Sequence, residues 1–287
     1  MRLGVVGMLP PDPADIHGPH LVAIRELGLT GGALSVSATG SPPASAPVWQ
    51  RVRRLFADEG MDLVQVGIGF RECLFDPDDE ARKRLLENIR RGFGVAAELG
   101  GHVALIRTGS LSPDGSYSPH PENHRPWRRG VLLESLSWLA EAAEAIGQTV
   151  AVETHLLTIM NSPEFNRAVI RDVGSPRLRV VMDYVNHFQT LHQVYDSRAR
   201  LRHIFECMGP ISAIAHCKDI SVRDGFVIHM DEEVPGEGEL DLGTALRLWH
   251  EAHPDGYMML EHLPNEKYPL AAANVHRILR REGIPVY

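Results

Sequence analysis

The fold turns on the stretch ISAIAHCKDI, residues 211–220. Its first five residues, Ile211 to Ala215, are mostly apolar and read as a strand covered on both faces, and the run then stops at His216, Cys217, Lys218 and Asp219. Outward from it, similar short runs recur at LGVVG (3–7), GALSVS (32–37), DLVQVGI (62–68), HVALI (102–106), TVAVE (149–153), LRVVMD (178–183) and YMMLE (257–261). Between them apolar residues fall at helical spacing, as at Leu85, Leu86, Ile89, Phe93 and Ala96, and again at Leu132, Leu136, Leu139, Ala143 and Ile146. Gly100 and Gly147 stand where helix C-caps belong. Strands separated by helices are what parallel β/α units require, because parallel neighbours need a crossover connection. Eight such units in 287 residues predict a (β/α)8 TIM barrel, a single domain over residues 1–287, since the fold typically takes about 250 residues. A doubly wound open sheet is the alternative. The stretch TGSPPASAP, Thr39 to Pro47, reads as a loop after the second strand and not as a domain linker.

Composition excludes several classes of partner. The formal charge of −8 leaves no basic surplus for a phosphate backbone or an anionic membrane, which argues against nucleic acid and against a membrane surface. No run approaches the roughly 20 apolar residues that a bilayer span needs. The opening MRLGVVGMLPPDP is interrupted by Pro10, Pro11 and Pro13 and reads as a first strand, not as a signal peptide. Cys73, Cys207 and Cys217 form neither a disulfide framework nor a CxxC pair, as expected of a reducing cytoplasm.

In a barrel of this kind the chemistry lies at the C-terminal ends of the strands. Four consecutive strands end there in Glu153, Asp183, His216 and Glu261, each directly after an apolar run. Three converging carboxylates repel one another unless a cation lies between them, so the pattern asks for a metal. An oxygen-rich set with one imidazole suits Mn²⁺, Mg²⁺ or Co²⁺, with Zn²⁺ possible. Cys217 is adjacent to His216 and should point to the opposite face, away from such a site. His155, two residues past Glu153, and Lys218, at the parity of His216, are candidates for binding substrate. The loop SYSPHPENHRPW (116–127) adds His120, with Glu122, His124 and Trp127, as a polar and aromatic cover. In PGEGELD (235–241) the glycines are expected to let the backbone approach the mouth, and Asp241 reads as a helix N-cap. Asp219 is expected to be structural, and Trp49, Phe70 and Arg71 to shape the pocket.

Taken together, Glu153, Asp183 with Asn186 and His187, HCKD (216–219), PGEGELD and LEH (260–262) resemble the xylose-isomerase-like TIM-barrel superfamily of sugar isomerases and epimerases. The resemblance implies one divalent ion, Mn²⁺ foremost, on Glu153, Asp183, His216 and Glu261, with Glu153 and Glu261 as the catalytic proton-transfer pair. It implies a small-molecule carbohydrate substrate (a keto-sugar or cyclitol), a substrate-binding role for His187, and a homo-oligomer. A metal that chelates a ketone oxygen and the neighbouring hydroxyl acidifies the C–H between them, and a carboxylate can then move that proton. Ketose 3-epimerases of this superfamily carry an arginine six residues after the strand-seven histidine. This chain has Val222 there and Arg223 next, so Arg223 is the candidate for that substrate-binding role. The expected activity is thus a metal-dependent sugar isomerase or epimerase. The alternatives are a lyase or dehydratase on the same site (including keto-glycoside or C-glycoside cleavage), an endonuclease-IV-like nuclease, and a non-catalytic sugar-binding barrel. The nuclease is disfavoured because SVSATG and VGIGF supply no histidines from strands two and three.

Overall fold

A computed structural model describes residues 1–38 and 46–287. The expected loop from Thr39 lies outside the described residues except for Ala46 and Pro47, which open a helix. In chain order the elements are β1 (Arg2–Val5), α1 (Gly18–Glu26), β2 (Gly31–Ser37), α2 (Ala46–Asp58), β3 (Asp62–Gly69), α3 (Asp79–Leu99), β4 (Val103–Arg107), α4 (Arg128–Ile146), β5 (Thr149–Glu153), α5 (Pro163–Val173) and β6 (Leu178–Met182). There follow α6 (Leu191–Tyr195), α7 (Ser197–Met208), β7 (Ser212–Cys217), β8 (Asp219–Arg223), β9 (His229–Glu233), α8 (Leu242–Ala252), β10 (Tyr257–Leu260) and α9 (Tyr268–Glu282).

Eight strands close a barrel in the order β1-β10-β7-β6-β5-β4-β3-β2, and every pairing in it is parallel. This is the expected (β/α)8 architecture, with the eighth run appearing as β10. The extra strands, β8 and β9, form a separate antiparallel ribbon inserted after β7. Gly100 and Gly147 cap α3 and α4 in the left-handed conformation, at φ 76° and 71°, where a side chain would be strained. Asp241 caps α8 by accepting from the Thr244 amide at 3.0 Å. No helix among the described residues is long and apolar enough to cross a membrane.

Two apolar layers follow from the strand period of two. Ala33, Val103, Leu105, Ala151, Val181, Ile214 and Met259 are among the residues that fill the barrel interior. Their neighbours, such as Ala104, Val152, Val180, Cys217 and Leu260, face the helices in the larger outer core. Trp49 lies in that outer core on α2, 3% exposed, so it packs the fold and does not shape the pocket. Both strand registers that deviate, between Gly32 and Ala33 opposite β3 and between Val180 and Val181 opposite β7, lie below the mouth. A bulge of this kind changes which side chains point inward beyond it.

Candidate active site

The interior layer dictates where the polar residues go. Ala151, Val181, Ile214 and Met259 point inward. At the next inward position, two residues further along each chain segment, stand Glu153, Asp183, His216 and Glu261. All four are 4% exposed or less. One potential ligand atom from each lies within 4.8 Å of all the others. From His216 Nδ1 the distances are 2.9 Å to Glu261 Oε1, 3.7 Å to Glu153 Oε1 and 3.7 Å to Asp183 Oδ2. Cys217 faces away, buried in the outer core, as the strand period required.

At such spacings each pair of carboxylates repels by about 3 kcal/mol at an effective dielectric constant of about 20. Three pairs together rival the total stability of a typical domain, about 5–15 kcal/mol. Positive charge must offset this. Part of it comes from Lys218, 2% exposed, whose Nζ lies 2.6 Å from Glu261 Oε1, 2.7 Å from Asp183 Oδ2 and 3.0 Å from Glu232 Oε1. Against desolvation, which alone would pull the Lys218 ammonium down, Asp183, Glu261 and Glu232 hold it well above its usual value. Burial likewise pushes the Glu261 and Asp183 carboxyls up, and the Lys218 and His216 charges more than reverse this. The His216 imidazole, lowered by burial, is raised by Glu261, Asp183 and Glu153 to about 10. The field at Nδ1 therefore favours a cation.

The donor set passes a more specific test. His216 Nε2 lies 2.9 Å from the Gln65 side-chain oxygen in a buried contact. An N–H on Nε2 donates there and turns Nδ1 toward the carboxylates, where it would carry either a proton or, in its place, a metal, the arrangement found where a metal-binding histidine is fixed by a second hydrogen bond. Nδ1 itself is buried, and Asp183 Oδ1, also buried, has no hydrogen-bond partner. Lys218 is shared with Glu232 and does not cancel the charge of the three carboxylates, which a divalent ion would offset. A second trio, Glu164, His203 and Cys207, lies on α5 and α7 outside the barrel, where Glu164 pairs with His203.

The remaining candidates separate clearly. His155 lines the mouth, its ring 5.3 Å from that of Tyr117 and its Nδ1 accepting from the Leu157 amide at 3.1 Å. His187 is fully buried beside α5, with Nε2 2.9 Å from Thr154 Oγ1 and 3.4 Å from Asn166 Nδ2, and burial lowers it to about 4. Its neighbour Asn186 reaches the cluster instead and donates to Asp183 Oδ2 at 2.9 Å. His120 caps a short turn by accepting from the Glu122 amide. Arg223 lies on the ribbon, 64% exposed along its side chain, and pairs with Asp231. Asp219 is structural: its carboxylate accepts from the amides of Ile220, Gly236, Gly238 and Leu240 at 2.9–3.1 Å. The PGEGELD glycines thus approach Asp219 and not the mouth, and a Cβ at Gly238 would collide with that carboxylate.

Four residues that the sequence did not single out complete the site. Tyr117 donates to Glu153 Oε2 at 2.5 Å, and burial and the Glu153 charge keep its phenol protonated. Arg107, at the end of β4, lies 3.5 Å from the same oxygen and over the Tyr117 ring at 4.9 Å. Glu232 from β9 joins Lys218 to His262 Nδ1, 3.1 Å away. His262 itself adopts a left-handed backbone, φ 57°, which a side chain rarely takes without support from its surroundings.

Comparison with known proteins agrees with this architecture. A family model described as xylose isomerase-like TIM barrel matches residues 21–280. Similar solved structures include the 3-keto-D-glucoside 4-epimerase YcjR of E. coli (TM-score 0.71, 16% identity, 98% of this chain and 99% of that one). An L-ribulose 3-epimerase is also similar (TM-score 0.73, 16% identity, 98% and 95%). A third is a xylose isomerase-like TIM barrel protein of Mycobacterium smegmatis in complex with magnesium (TM-score 0.70, 18% identity, 98% and 96%). No curated protein sequence matches the chain. At these identities the structures speak for the fold, and the family model, spanning most of the chain, assigns it: the chain belongs to the xylose isomerase-like TIM barrel family.

Proposed function

We propose that the protein is a divalent-metal-dependent sugar isomerase or epimerase. The observation that carries this reading is the buried Nδ1 of His216, which faces Glu153, Asp183 and Glu261 while Gln65 occupies its other nitrogen. Glu153, Asp183, His216 and Glu261 would hold the ion, and a hard cation such as Mn²⁺ or Mg²⁺ suits their mostly oxygen set. When bound, it would supply Lewis acidity at a carbonyl oxygen and its neighbouring hydroxyl. Similar structures that are sugar epimerases, and one that holds magnesium, support the reading.

The proton is moved by the chain's own groups. Glu153 and Glu261 stand on β5 and after β10 and both border the mouth, so one can take a proton from a substrate carbon and the other can return it from a different direction. Tyr117 and Arg107 fix Glu153 through Oε2. Lys218 orients Glu261 and Asp183 and offsets their charge. The test is incubation of the metal-loaded protein with a panel of ketoses and keto-glycosides in D₂O, with a chelator-treated control. One deuterium gained at a carbon next to the carbonyl, without loss of water or of an aglycone, is the expected result. An unsaturated product would establish a lyase instead. Exchange that persists without metal would overturn the reading.

A further inference from the structure

The mouth is divided. Glu153 and His262 border two adjoining cavities, one of about 130 Å³ and one of about 360 Å³. The smaller, on the β2–β4 side, is lined by Ser35, Gln65, Gly67, Gly69 and Arg107, which offer hydrogen bonds or bare backbone, and also by Val6, Phe70 and Leu105. The larger, on the opposite side, combines an apolar wall of Leu156, Val185, Phe188, Ile220 and Met230 with a polar edge that includes Tyr117, His155, Asn186 and Glu232. Phe188 and Ile220 are 2% and 3% exposed, so this wall is anchored in the core and is not a loose surface patch.

Part of the wall comes from an element the barrel does not need. Ile220 and Met230 lie on β8 and β9. The pairing of Val222 with Met230 and of Ile220 with Glu232 places all four on one ribbon face. Glu232 on that face reaches Lys218, so the face is turned to the mouth. A two-stranded ribbon is marginal alone; here Asp219 ties its base to the loop that follows β9, and Lys218 links Glu232 of β9 to Asp183 of the cluster. The chain thus spends an added element on placing apolar surface beside its polar reaction centre.

Size decides what fits. An apolar cavity of about 150 Å³ accommodates a benzene ring, so the larger compartment has room for an aromatic group and more. A free monosaccharide held at Glu153 and Glu261 would leave Leu156, Val185, Phe188, Ile220 and Met230 uncovered, and its hydroxyls would gain nothing from them. Building on the sugar isomerase reading, we propose that the substrate is a two-part molecule. It is a glycoside whose sugar lies across Glu153 and Glu261, beside the small compartment, and whose apolar, ring-bearing aglycone occupies the large one.

The test uses the Mn²⁺-loaded protein and calorimetric titration with the α and β anomers of phenyl glucoside and of methyl glucoside, and with maltose. One phenyl anomer is expected to bind at least about tenfold tighter than the matching methyl glucoside, from burial of the added ring. Met230→Asp and Phe188→Asn should each bring that ratio close to one, with metal binding and circular dichroism as controls for folding. Equal affinities for phenyl and methyl glucosides, tighter binding of maltose than of phenyl glucoside, or no binding of any of them would overturn the proposal. Its failure is separable from failure of the isomerase reading. Deuterium exchange into free ketoses without a phenyl preference sinks the aglycone compartment alone. A phenyl preference with no exchange into any keto-sugar or keto-glycoside sinks the proton-transfer reading alone.

Discussion

The two halves of the barrel end their strands in different ways. On β5, β6, β7 and β10 the inward position at the mouth is Glu153, Asp183, His216 or Glu261. On β2 and β3 the mouth is bordered by Ser35, Gly67 and Gly69, and only on β4 does a charge, Arg107, appear. Below the mouth the halves are alike, since both contribute to one interior layer. Barrel closure therefore does not require the difference. One half concentrates charge that costs stability unless a cation compensates it, and the other leaves space and hydrogen-bonding groups around the result.

The strongest way to break this division is to remove a carboxylate from the charged half. Glu261→Gln and, separately, Glu153→Gln should each lower the rate of deuterium exchange by about 10³-fold or more, since each removes a proton carrier and a charge facing the metal position. Neither should unfold the protein, because losing one of three mutually repelling carboxylates relieves the cluster. A loss below about tenfold for both would mean that the chemistry lies elsewhere. The next test comes from the quiet half. Gln65→Leu removes the group that fixes His216, and metal affinity should fall by about 10–100-fold with all four proposed ligands intact. Unchanged affinity by metal titration would show that the two halves are independent.

Gln65 also shows where reading the sequence stops. The eight runs, their order and the four residues that end the last four runs were legible, because apolar strands followed by acids and a histidine are a local pattern. Gln65 was not. In DLVQVGI a strict period of two puts it on the same face as Leu63, which lies in the outer core. The register shift opposite Gly32 and Ala33 turns both Val64 and Gln65 inward, and nothing in the residues announces that shift. Tyr117 is hidden differently: the loop 116–127 stands out by its histidines, but which loop side chain reaches Glu153 is decided by packing over 36 residues of separation. The β8–β9 ribbon escaped because DISVR and HMDEE are short and half polar and lack the apolar run that marked the barrel strands. With the ribbon in place, Val222 and Arg223 fall on opposite faces, and the inward one is the valine.

Within the charged half, proximity to the mouth is not enough to make a residue part of it, and His187 provides a measurement of that. Its imidazole is lowered by burial to about 4, against about 6.5 in an unfolded chain. The group contributes stability that is fully present above pH 6.5 and is lost as pH falls toward 4, because the unfolded chain takes up a proton that the folded one refuses. At pH 5 the loss is about 2 kcal/mol. His187→Gln, which cannot titrate, should show a flatter decline in unfolding free energy between pH 7 and pH 5 by about that amount. The same slope in both proteins would mean that His187 is solvated and open to substrate.

The smallest effect is expected at Arg223, and it distinguishes a ribbon that builds a wall from one that delivers a charge. The two faces of β8 alternate, with Ile220 and Val222 on the face shared with Met230 and Glu232 and with Ser221 and Arg223 on the other. Arg223 is mostly exposed, and its ion pair with Asp231 lies within the ribbon, where such pairs contribute about 0–1 kcal/mol. Arg223→Ala should therefore change KM by less than about twofold and stability by less than about 0.5 kcal/mol. Val222→Arg, by contrast, would place a cation on the mouth-facing side and should weaken binding of an apolar aglycone while leaving Arg223 untouched. If Arg223→Ala instead raises KM by about tenfold, worth about 1.4 kcal/mol of binding, the ribbon must roll over the mouth when substrate binds and present its other face. The polar residues of β8 would then belong to the charged half, and the apolar wall would be a feature of the open state alone.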